Sequence, residues 1–89
     1  MKEGKKMSKE IKKGFALVDS LSNLHWLDEE MSEETAAQQR DALVADLGLV
    51  VSAFEVEANG DAWAEALALV RSDRKVEAWQ KIITEGRVL

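Results

Sequence analysis

Cysteine is absent from the chain, and with it go disulfides, zinc ribbons and thiol nucleophiles. Proline is absent as well, and glycine occurs only five times. With Ala, Leu, Glu and Lys abundant, that shortage of helix breakers favours helices over a series of short strands. A single histidine, His25, leaves any transition-metal site short of nitrogen ligands. No apolar run approaches the roughly 20 residues that cross a bilayer. The lysine-rich start leads into an amphipathic segment rather than a signal-peptide core, so a cytoplasmic protein without a membrane role is expected. Neither a phosphate-binding Gly-rich loop nor a nucleophile motif occurs, and no internal repeat or low-complexity tract is evident. The 89 residues suffice for one domain with a modest core, not for an active site enclosed by several layers, which disfavours an enzyme.

What the chain does have is charge, unevenly spread. The net charge is −5, yet residues 1–13 carry six lysines against two glutamates, a local +4. Residues 28–65 carry eleven acids against Arg40 alone, a local −10. Such an acidic middle repels nucleic acid and attracts basic surfaces.

The longest dense apolar run is Leu43 to Phe54, LVADLGLVVSAF. At 100° per residue, Leu43, Val44, Leu47, Val50, Val51, Phe54 and Ala58 fall on one arc, the stripe of a core-facing helix. Leu49 and Val56 fall on the opposite side, where another part of this chain or a second molecule would have to cover them. The pattern therefore predicts a long central helix over about 33–58. Ser32 is its cap, Glu33 and Glu34 sit at the positive end of its dipole, and Asn59-Gly60 ends it. A hairpin turning at Asn59-Gly60 competes with this reading, since Phe54-Glu-Val-Glu alternates as a strand does. The alanine- and leucine-rich DAWAEALALV that follows argues against it.

Around the central helix the sequence predicts three more. One runs over about 8–24, capped by Ser8 and presenting Ile11, Phe15, Val18 and Leu21, with Gly14 weakening its first half. Another spans about 62–71, capped by Asp61 and carrying Trp63, Ala66, Leu67 and Val70. The last is capped by Ser72 or Asp73, presents Val76, Trp79, Ile82 and Ile83, and stops at Gly86. The expected architecture is an all-α, compact four-helix domain over residues 8–89, preceded by a flexible basic N-terminus over 1–7. The segment Leu24 to Met31 is undecided between helix end, turn and loop.

Several constellations imitate sites. Glu55, Glu57, Asn59, Gly60 and Asp61 resemble the start of a calcium loop, but the twelfth position, which needs a bidentate Glu, is Ala66. His25 with Asp28, Glu29 or Glu33 offers one nitrogen and some oxygens to a metal, too few imidazoles for a convincing site. No metal or other cofactor is expected. Trp63 and Trp79 fall on apolar stripes and read as core. Trp26, in an acidic irregular stretch, is equally suited to plug a core or to touch a partner. Gly48 and Ser52 form a small-x-x-x-small pair that suits close packing, within the chain or in a homodimer. Arg71, Arg74, Lys75, Lys81 and Arg87 invite a helix-turn-helix reading, weakened by the acidic stretch before them.

The function expected from these features is a small acidic, non-catalytic protein-binding module for a basic surface on another protein. Its partner-binding residues are Trp26, Asp28, Glu29, Glu30, Glu33 and Glu34, with Leu49 and Val56 as a second patch. The sharpest form is an inhibitor that occupies a nucleic-acid-binding groove of its partner, as many phage-encoded inhibitors of similar size and charge do. The alternatives are a helix-turn-helix-like DNA-binding regulator and a structural homo-oligomer.

Overall fold

The computed structural model describes residues 10–89. The expected basic N-terminus and the Ser8 cap lie outside the described residues. Within them the chain forms β1 (Ile11–Asp19), β2 (Leu24–Asp28), α1 (Glu33–Leu47), β3 (Val51–Asn59), α2 (Gly60–Arg71), α3 (Lys75–Glu85) and β4 (Gly86–Val88). The strands make one antiparallel sheet in the order β2-β1-β3-β4. The all-α four-helix bundle is thus corrected to a mixed α/β domain.

In place of the helix expected over 8–24, the described residues form strand β1 and the turn after it, and the undecided segment from Leu24 to Met31 supplies β2. Strand β1 lies inside the sheet, and alternate residues reach two different cores. Ala16 and Val18 join a cluster with Trp63, Trp79 and Ile82 from α2 and α3. Leu17, with Phe15 packed nearby, joins Met31, Ala36 and Val51 on the α1 side. A strand buried on both faces shows no polar alternation, and its continuous run Phe-Ala-Leu-Val satisfies helical spacing equally well. Asp19 pairs with Val51 at one end of β1 and Ile11 with Asn59 at the other. Opposite β2 the register slips between Leu17 and Val18, leaving His25 as the extra residue of a bulge.

The central helix over 33–58 is corrected to a 15-residue helix, a turn and a nine-residue strand. Ser32 caps α1 as expected, its side chain accepting from the Thr35 N–H at 3.1 Å. Gly48 then takes a left-handed conformation, φ 69°, and its N–H closes the helix on the Val44 carbonyl. Beyond it come two β-branched valines and the alternating Phe54-Glu-Val-Glu, which the sheet uses as a strand. Strands β2 and β3 flank β1 and are both antiparallel to it, so they run parallel to each other with α1 as their crossover.

Asn59 caps α2 rather than Asp61, accepting from the Ala62 N–H at 2.9 Å. At the other end of α2, Asp73 adopts φ 63°; its N–H reaches the Val70 carbonyl and the Arg74 N–H reaches Leu69, which satisfies the last turn of the helix. Helix α3 starts after Arg74 with no side-chain cap, so neither Ser72 nor Asp73 plays the role expected of it. Helices α2 and α3 cover one face of the sheet and α1 part of the other, a three-layer arrangement. Leu17, Leu24, Val56 and Ile82 are fully buried, each contributing about 1.5–3 kcal/mol by leaving water.

Candidate functional site

The acidic residues singled out in the sequence meet at one corner of the molecule. Strand β2 ends at Asp28, the chain bends through Glu29 and Glu30, Met31 is buried as an anchor, and α1 begins at Glu33. The bend is shaped locally. The Asp28 carboxylate accepts from the Glu30 N–H at 2.8 Å, an Asx-type turn. On the neighbouring strand, the backbone of Asp28 and Glu29 fills the space that a Cβ on Gly14 would occupy, so only glycine lets β2 end this close to β1. Glu29, Glu30, Glu33 and Glu34 are exposed and Asp28 is half-buried. Among the described residues, Lys12 is the cation that pairs with this group, on Glu29 at 3.3 Å. Glu33 and Glu34 occupy the first turn of α1, where the helix dipole favours carboxylates.

Trp26 belongs to the same edge strand and pairs across to Leu17, which places it on the α1 side of the sheet at 39% exposure. The second patch is not brought together with this corner. Val56 is fully buried opposite Gly14, among the side chains packed under α2 and α3, and no partner reaches it in the folded chain. Leu49 is half-buried in the turn after α1, at the far end of the sheet.

A polar cluster at the β1–β2 turn escaped the sequence reading. Asp19 is buried, and its carboxylate accepts from the backbone N–H groups of Leu21 at 2.8 Å and Asn23 at 3.0 Å, and from the Asn23 side chain. His25 Nε2 lies 2.7 Å from the same carboxylate. Burial by itself pushes the Asp19 carboxyl upward; the hydrogen bonds from His25, Asn23 and Leu21 outweigh it and hold the group below the usual carboxylate range. The signal was the Asp-Ser-Leu-Ser-Asn run, whose residue types favour turns in which a side chain satisfies the backbone. His25 therefore engages Asp19 rather than the Asp28, Glu29 or Glu33 considered as metal ligands. Among the described residues no group of three metal-ligating side chains converges.

Four of the basic residues in and after α2 and α3 have acidic neighbours. Arg74 pairs with Glu77, Lys75 approaches Asp73 at 3.9 Å, Lys81 bridges Glu65 and Glu85, and Arg87 pairs with Glu57 at 2.7 Å. Arg74, Glu77 and Lys81, with Glu65 and Glu85, line an open cleft of about 660 Å³ between the two helices. The hydrogen bond from Lys81 to Glu65, then that to Glu85, raises the lysine above its ordinary value, and Arg74 is raised by Glu77. No helix among the described residues is long and apolar enough to cross a membrane. Comparison with known proteins gave no match to a family model, a curated protein or a solved structure.

Proposed function

We propose that this protein is a small non-catalytic binding module that engages a basic surface of another protein through the corner between β2 and α1. The observation that carries the reading is the crowding of Asp28, Glu29, Glu30, Glu33 and Glu34 around one exposed bend, beside the partly exposed Trp26 on the adjoining strand. Exposed carboxylates steer a basic partner from a distance, and an indole at their edge supplies contact area once the two surfaces meet. Val56 drops out of the binding set because it is buried, and Leu49 lies too far from the corner to join it. In its sharpest form the module inhibits its partner by occupying a basic nucleic-acid-binding groove.

The test is a double reversal, Glu29→Lys with Glu30→Lys. It leaves Asp28 to hold the bend and leaves Glu33 and Glu34 at the helix dipole. Both altered residues are exposed, and surface ion pairs are worth about 0–1 kcal/mol, so the variant stays folded. Affinity capture from a lysate at low salt supplies the partner, and association is then timed against ionic strength. Slower association and a flatter salt dependence are expected, because steering is screened beyond about 8 Å at physiological ionic strength. A folded variant that binds as fast as the parent overturns the proposal. Duplex DNA binding by the parent, weakening steeply with salt, would install the DNA-binding alternative in its place.

A further inference from the structure

We draw no further inference here: the strongest candidate, the exposed apolar end where α1 turns into β3 with Val44, Leu47 and Val50 at the surface, has nothing in the structure to show what covers it.

Discussion

Asp19 is where one residue decides most. Its carboxylate gathers the β1–β2 turn and the His25 ring onto one buried anion. In the unfolded chain an aspartate titrates near about 3.9, while in the folded protein Asp19 titrates lower. Between those two values the unfolded chain binds a proton that the folded one does not. The stabilisation is therefore complete above about pH 4 and disappears as pH falls through the lowered value. Urea denaturation between pH 6 and pH 2, pH values spanning the carboxylate range, checks this; Asp19→Asn should flatten the acid limb and cost about 1–3 kcal/mol at neutral pH by mispairing a buried group. An acid limb unchanged in that variant would assign the pH dependence elsewhere. Gly14 gives a second residue-scale expectation. Its missing Cβ leaves room for the backbone of Asp28 and Glu29, and backbone does not swing aside as a flexible side chain does. Gly14→Ala should cost about 1–3 kcal/mol through overpacking. In a domain this small each kcal/mol lowers Tm by roughly 4–8 °C, so a melt within 2 °C of wild type, under about half of that unit shift, contradicts the close approach.

Among the elements, α1 is the least anchored. It buries Ala36 fully and Leu43 in part, while Val44 and Leu47 are each 39% exposed. The sequence pattern places Leu47 at the centre of the core; in the fold it lies at the open end of a helix that covers only part of one sheet face. Leu47→Ala should accordingly cost under about 1.5 kcal/mol, against about 2–5 kcal/mol for Leu17→Ala inside β1. Urea denaturation of the two variants ranks them directly, and equal losses would mean that α1 is packed as tightly as the sheet. Native-state hydrogen exchange should likewise show the α1 amides opening at lower free energy than those of β1, which is hydrogen-bonded on both sides. On the opposite face α2 and α3 are held better. Trp63 and Trp79 are both buried, and the Trp79 ring stacks on Phe54 of β3 with centroids 5.5 Å apart.

For the molecule as a whole, the test that matters is secondary-structure class. Infrared spectra should show a β component beside the helical band, and far-UV circular dichroism should be weaker than an all-helical chain of this length gives. A purely helical spectrum would restore the bundle. Burial sharpens the same contrast: Val56→Lys should unfold the protein, because an unpaired charge would enter a core whose net stability is only about 5–15 kcal/mol. Leu49→Lys, in the half-buried turn, should leave it folded.

Features carried by a few neighbouring residues were legible in the amino-acid order alone. Ser32 with Glu33 and Glu34 announced the start of α1, the apolar stripes gave α2 and α3 nearly to their ends, and the run of carboxylates marked the acidic corner. These signals are local, set by capping, by the helix dipole and by 3.6-residue spacing within one segment. That residues 11–19 and 51–59 are strands depends on long-range pairing within the folded sheet. A strand's hydrogen bonds run to partners distant in sequence; β1, covered on both faces, has no polar side to betray its period of two, and β3 alternates only over Phe54-Glu-Val-Glu, inside a run that fits helical spacing as well. The same holds for Val56, which faces away from the other apolar residues if it is helical and into the core once Gly48 has ended α1 and β3 has paired with β1. Asp19 and His25 follow that logic: six residues apart in the chain, they meet because the bulge between β1 and β2 brings the imidazole back onto the carboxylate.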